Sequence, residues 1–267
     1  MSAEADTFTP STEFMNSECR QNLSCSVLGD MSMEISSMSL NEKLDIISQY
    51  SACDVADALV RLQKGQGPPF GGHLAGPFLV SGSPADQAKV VGPAMTVRYA
   101  SIHSAETAAH GRARAPSGGQ YVDAVSPGAV VVIAQEQGLS TALLGANMAT
   151  RMKLKGAKAV VAAGNIRDVG EIQDIGLPIW AQGSSPVAYS AESKVIEVDA
   201  PITAHRLRID PGDIIFCDGV EGIVRIPLAL LDDVISLVPK LAEADNLIHR
   251  ELLQGTTFAD STAKHPK

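Results

Sequence analysis

Residues 159–172 read AVVAAGNIRDVGEI, and the fold turns on how that stretch is parsed. Ala159 to Ala163 are five small apolar residues running into Gly164, which marks a short buried strand. A short helix, DVGEIQDIG (168–176), follows, and then another strand, LPIWAQG (177–183). Between strand and helix stand Arg167 and Asp168. From the residues alone, two readings of this pair are open. Asp is a favoured helix N-cap, so Asp168 would cap the helix and leave Arg167 in solvent. Alternatively the pair is a reaction centre, because ligands of open α/β sheets bind beyond the carboxyl ends of the strands.

The pattern continues on both sides. Upstream, SPGAVVVIAQ (126–135) is a turn and an apolar strand, and LLGANMATRMKLKG (143–156) reads as a helix ending at Gly156. Strands and helices therefore alternate between about residues 128 and 183, which predicts a parallel α/β core. KVVGPAMTVRYA (89–100) is a strand with a bend or bulge expected at Gly92-Pro93. SKVIEVDAPI (193–202), DIIFCD (213–218) and GIVRIP (222–227) form a β-rich segment, with DPGD (210–213) as a turn. CDGVEGIVRIP (217–227), with Asp218 and Glu221 beside two glycines, reads as a hairpin.

Two capping boxes, at Ser39–Glu42 and Ser51–Asp54, open N-terminal helices. Residues 227–254 carry Leu230, Val234, Leu237, Leu241 and Ile248 at helical spacing, a long amphipathic helix. GQGPPFGG (65–72) is a loop, with neither the Lys-Ser/Thr nor the preceding strand of a phosphate-binding loop. GGHLAGPFLVSGSPAD (71–86) is a long uncharged segment until its last residue, which would line a pocket or form a surface loop. Residues 1–38 are rich in Ser, Thr, Met and Glu without a period and are expected to be a disordered extension. Residues 39–260 form one domain, and 261–267 a tail.

The chain has 267 residues, 45% hydrophobic and 19% charged, a composition that supports a sizeable core. Aromatics are only 4%, so Val, Ile, Leu and Ala must fill it. The formal net charge is −9 with no block of Lys and Arg, which argues against nucleic-acid or anionic-membrane partners. An acidic substrate needs only one arginine in a cleft. The four cysteines form no C-x-x-C pair and no metal-type spacing with the six histidines, which predicts free thiols. No apolar run has the length of a membrane span, and the N-terminus lacks the order of a secretory signal, so a soluble cytoplasmic protein is expected. No Ser-His-Asp, H-E-x-x-H, Walker or dinucleotide pattern occurs. Besides Arg167-Asp168, the residues offer GLSTALLGANMAT (138–150), where Gly145 would let amides at a helix start face an anion. The plainer alternative is a helix through the whole stretch, with Gly145 allowing close packing.

Taken in order, SACDVADAL (51–59), KVVGPAMTVRYA (89–100), YVDAVSPGAVVVIAQ (121–135), the run from Gly145 to Gly183, and DPGDIIFCDGVEGIVRIP (210–227) resemble the 4-hydroxy-4-methyl-2-oxoglutarate aldolase family. That family includes oxaloacetate decarboxylases and the non-enzymatic regulator of ribonuclease activity A. EADNLIHRELLQGTTFAD (243–260) resembles the closing helix of eukaryotic, especially fungal, members. The resemblance implies a swivelling β/β/α domain with a parallel α/β core, N-terminal helices and a long C-terminal helix. It further implies a homotrimer or dimer of trimers with active sites between subunits.

By the same resemblance, Asp168 holds Mg²⁺ or Mn²⁺ largely through water, and Arg167 faces a small 2-oxo acid. Gly145, Ala146, Asn147 and Met148 form the substrate loop, the amides of Asn147 and Met148 gripping a carboxylate. Glu243 falls near a glutamate that reaches the neighbouring subunit's site. The implied activity is a metal-dependent lyase, by retro-aldol cleavage or decarboxylation through a pyruvate enolate. Ala146 and Ala163 stand where relatives carry acidic residues, which should weaken the metal's surroundings. Two alternatives stay open: a non-catalytic interaction protein like the ribonuclease regulator, and the same fold recruited to another substrate.

Overall fold

A computed structural model describes residues 35–64, 71–82, 89–105 and 120–266. The extension expected over 1–38 lies outside the described residues up to 34, as do residues 65–70 of the expected loop. The two capping boxes form as the sequence predicts. The Ser39 N–H donates to Glu42 at the start of α1 (Leu40–Ile47), and the Ser51 N–H to Asp54 at the start of α2 (Ala52–Leu62).

The strands are β1 (Phe78–Ser81), β2 (Val90–Ser101), β3 (Val130–Gln135), β4 (Ala142–Leu144), β5 (Ala159–Ile166), β6 (Ile179–Ser184), β7 (Ser193–Val198), β8 (Ile202–Ala204), β9 (Leu207–Ile209), β10 (Ile214–Asp218) and β11 (Gly222–Ile226). Among the described residues, nine of them form one mixed sheet in the order β1-β6-β5-β3-β2-β10-β11, with β4 on β5 and β7 on β2; β8 and β9 form a separate hairpin. The pairs β2–β3, β3–β5, β4–β5 and β5–β6 are parallel. This is the expected parallel core. Its strands are apolar on both faces because both are covered: Val130, Val132, Val161 and Trp180 face one side, Val131, Ile133, Val160 and Ala162 the other.

Long β2 joins the two halves. Its first residues pair antiparallel with β10, and from Ala94 it runs parallel to β3. The bend expected at Gly92-Pro93 is instead the point where the strand changes partners, and the register shift falls later, between Arg98 and Tyr99 against β7. Gly92 is required there because a Cβ would come within 3.0 Å of the Gly128 carbonyl oxygen, in the turn leading to β3.

Helices α3 (Ala146–Leu154) and α4 (Val169–Ile175) cover one face of the parallel strands through Ala149, Met152 and Ile172. Helix α5 (Leu231–Leu253) lies with α1 and α2 on the β10–β11 half through Val234, Ile235, Val238 and Leu241. A third apolar layer, with Trp180, Ile209, Cys217 and Ile223, packs the β8–β9 hairpin and the β10–β11 half against the parallel strands. Two β layers with helices outside them are the architecture that the resemblance implied. A last helix, α6 (Phe258–Lys264), follows α5 and covers part of the segment expected as a tail. Among the described residues no helix is long and apolar enough to cross a membrane.

Candidate active site

Strand β5 ends at buried Ile166, and the next residue still holds to the sheet: the Arg167 N–H donates to Leu144 O at 3.0 Å. Asp168 then takes the left-handed conformation, φ 59° and ψ 39°, which asparagine and aspartate tolerate best among residues with a Cβ. That turn redirects the chain into α4. It also bears on the capping reading of Asp168. An N-cap reaches its own helix from an extended backbone, and left-handed Asp168 makes no side-chain cap bond to α4. Only its backbone carbonyl serves that helix, accepting from the Ile172 N–H at 2.9 Å. Asp168 stands at the N-cap position, but its side chain does not cap α4.

The carboxylate turns to the neighbouring helix instead. Asp168 Oδ2 accepts from the Ala146 N–H, the first amide of α3, at 3.2 Å, and lies 3.5 Å from Arg167 Nε. A negative charge at a helix N-terminus is favourable, and α3 has no acidic residue in its own first turn. The Arg167 and Asp168 side chains are 43% and 36% exposed, so their attraction is worth little as a surface ion pair and both polar ends reach solvent.

Gly145 makes the approach possible. Its φ of −131° suits any residue, so backbone freedom is not the reason for glycine. A Cβ there would collide with Asp168 Oδ2 and press on Arg167 Nε and Cγ. The helix expected from Leu143 onward is therefore shorter: Ala142–Leu144 are buried as β4 beside β5, Gly145 is the N-cap, and α3 starts at Ala146. Of the two amides expected to grip a carboxylate, that of Met148 turns back to Gly145 O at 3.1 Å. The Asn147 N–H, on an exposed residue, sits between two engaged neighbours. Asn165 was not singled out by sequence. Its amide donates to Ser140 O at 2.8 Å, tying the loop before β4 to the end of β5. A lone amide late in an apolar strand is the signal that could have marked it.

Glu243 lies exposed on α5, in the layer with α1 and α2. One chain does not bring it to Arg167 and Asp168. A cavity of about 860 Å³ opens beyond the ends of β3 and β6, lined among others by Gln135, Ala163, Gln182 and His205. Gly145, Arg167 and Asp168 do not line it. Part of the 71–86 segment, His73 to Gly76, lines a second cavity of about 430 Å³.

Among the described residues no three His, Cys, Asp or Glu stand close enough to form a metal cage. What the pair offers is one hard carboxylate at the surface. That donor set fits Mg²⁺ or Mn²⁺ held through a single carboxylate, with water and a ligand completing the shell, and does not fit a pre-formed site.

The family model described as RraA-like, Aldolase/RraA, matches residues 52–225, from the start of α2 through Arg225 in β11. The chain belongs to the RraA-like family. Among its RraA-like relatives, it is 29% identical over 164 residues to a putative 4-hydroxy-4-methyl-2-oxoglutarate aldolase of Halalkalibacterium halodurans, covering 61% of this chain and 72% of that one. It is 26% identical over 183 residues to Protein DlpA of Legionella pneumophila, covering 67% of this chain but only 28% of DlpA. In structure it resembles Streptomyces coelicolor RraAS2, described as an unusual member of the RNase ES inhibitor RraA family. That likeness has a TM-score of 0.62 at 24% identity, covering 82% of this chain and 98% of that one. The RraA-like match holds Gly145, Arg167 and Asp168, and ends before α5 and Glu243.

Proposed function

We propose that this protein is a lyase that breaks the carbon–carbon bond of a small 2-oxo acid to release pyruvate, by retro-aldol cleavage of the 4-hydroxy-4-methyl-2-oxoglutarate type or by decarboxylation of oxaloacetate. The observation that carries this reading is the convergence of Arg167, Asp168 and the N-terminus of α3 over Gly145. A guanidinium and a helix N-terminus both favour carboxylate, and the Asn147 amide is the donor left at that terminus.

Arg167 offers its planar fork to the substrate's 2-oxo acid end and orients the scissile bond. In retro-aldol cleavage, a water held near Arg167 takes the hydroxyl proton as the bond breaks, the bonding electrons pass to the pyruvate enolate, and return of a proton to the enolate carbon gives pyruvate. In decarboxylation carbon dioxide leaves and the same enolate remains, so one arrangement serves both reactions. A divalent cation on Asp168, Mg²⁺ or Mn²⁺, would supply a Lewis acid for the charge developing on the keto oxygen. Assembly as a trimer or dimer of trimers would bring Glu243 of a neighbouring subunit to the site.

The rival reading is a non-catalytic interaction protein, which the likeness to RraAS2 favours. One assay separates the two. Purified protein with Mg²⁺ or Mn²⁺ is incubated with a panel of 2-oxo acids, and pyruvate is followed by coupled NADH oxidation. Release of pyruvate that is lost in the Arg167→Ala protein is the expected result. No release from any panel member rejects the lyase.

A further inference from the structure

The 860 Å³ cavity beyond β3 and β6 has three features that the lyase reading leaves unused. The first is His205. The β8–β9 hairpin turns on two residues, His205 and Arg206, and only the first has a positive φ, at +55°. That is the sign pattern of a type II′ turn, whose first central residue is ordinarily glycine. An exposed histidine there is strained without burial to compensate. Its ring is nonetheless held: Gln182 Nε2 on β6 lies 2.7 Å from His205 Nε2, and an amide N–H donated across that gap leaves the ring proton on Nδ1. Gly76 clears the space, since a Cβ on it would stand 2.7 Å from Gln182 Nε2 and 3.4 Å from His205 Nε2. Three separate parts of the chain thus fix one imidazole in the cavity wall. Strain that the surroundings enforce in this way gathers at ligand sites.

The second feature is Gln135, at the end of β3. Its Nε2 donates to Leu139 O at 3.1 Å, while its buried Oε1 has no hydrogen-bond partner among the described residues. A fixed, buried acceptor left over calls for a donor. The third is Arg206. Arg98 pairs with Glu197 at 2.5 Å, Arg208 with Asp210 and Arg225 with Asp213, but Arg206 has no acidic partner among the described residues. It lines the cavity as an exposed cation.

Among the described residues the lining includes no Phe, Tyr or Trp. It combines the Arg206 cation, an unpaired acceptor, a histidine and two carboxylates already engaged, Glu136 by the Ser101 N–H and Glu197 by Arg98. Hydroxyls both donate and accept, and a carboxylate answers the arginine. We propose that this cavity binds a small polyhydroxylated carboxylic acid, its carboxylate on Arg206 and its hydroxyls on Gln135, His205 and Glu197, at a site separate from Arg167 and Asp168. Its size suits such a ligand with its water.

The test is calorimetric titration of the full chain with three probes: gluconate, glucose (hydroxyls without the charge) and succinate (charge without the hydroxyls). Gluconate should bind at least about tenfold more tightly than either of the others, and Arg206→Ala should lose about that factor. His205→Gly should weaken gluconate binding while raising Tm, because glycine relieves the turn. Arg167→Ala should leave gluconate binding unchanged, whatever becomes of lyase activity. The proposal is overturned if gluconate binds no better than the other probes, if Arg206→Ala and His205→Gly bind it normally, or if Arg167→Ala abolishes its binding.

Discussion

The Asp168 carboxylate occupies the space that a side chain on residue 145 would need, so Gly145 and Asp168 are fitted to each other across the gap between β5 and α3. The consequence is energetic as well as geometric. Gly145→Ala must push Asp168 away from the Ala146 N–H or shift the start of α3. We expect turnover to fall about 100-fold, the scale of an ångström's misplacement. The loss in stability should be much smaller when Asp168→Ala is already present, because the colliding oxygen is gone. Urea denaturation of both single variants and the double variant checks this, and additive losses would refute the fit.

Arg167→Lys keeps the charge but loses the two-pronged geometry. A fall in kcat/KM of about 100-fold with an unchanged Tm is expected. Unchanged turnover with a lowered Tm would make the pair structural.

Pyruvate release should stop in strong chelator and return on adding Mg²⁺ or Mn²⁺, since a lone surface carboxylate holds such a cation loosely. An Asp168→Ala protein fully active in chelator would eliminate the metal's role.

Asp213 is only 5% exposed, and it binds the Arg225 guanidinium at 2.7 Å and the Asp210 and Leu228 amides at 2.8 and 3.1 Å. Asp213→Ala leaves the largely buried Arg225 guanidinium with Asp210 alone, 3.7 Å away, and the Asp210 and Leu228 amides without their acceptor, which should cost about 3 kcal/mol, the low end for breaking a buried pair. Trp180, the chain's single tryptophan and 1% exposed, reports the unfolding by fluorescence. A cost below 1 kcal/mol would mean that water replaces the carboxylate.

The hydrogen bond from His265 holds Glu251 below its ordinary value of 4.5. A carboxylate with a lowered folded-state pKa stabilises above its ordinary value and loses that contribution as pH falls through the lowered one. Docking of α6 on α5 should therefore loosen below about pH 4.5, read as faster amide exchange in residues 258–264 after correction for intrinsic rates. Glu251→Gln should remove the pH dependence.

If Glu243 acts in a neighbouring subunit's site, mixtures of inactive Arg167→Ala and inactive Glu243→Ala subunits should regain part of the activity. A fully active Glu243→Ala protein would end that role.

The sequence by itself determined most of the frame. Runs such as AVVAAG and AVVVIAQ, short, apolar and bounded by turn residues, read as strands covered on both faces, and SLNE and SACD state their helix starts through bonds made three residues apart. What only the tertiary structure decided came from contacts distant in sequence. Local preference pointed Asp168 at its own helix. A left-handed backbone turned it toward an amide 22 residues upstream, and spacing along the chain cannot show that. The same holds for Gly145, whose glycine answers a carboxylate brought up by β5. It holds for the unclaimed acceptor of Gln135, and for Asp213, buried in a turn that the sequence marks as polar. Periodicity records which face of an element is buried. Which polar atoms meet there depends on the packing of elements far apart in the chain.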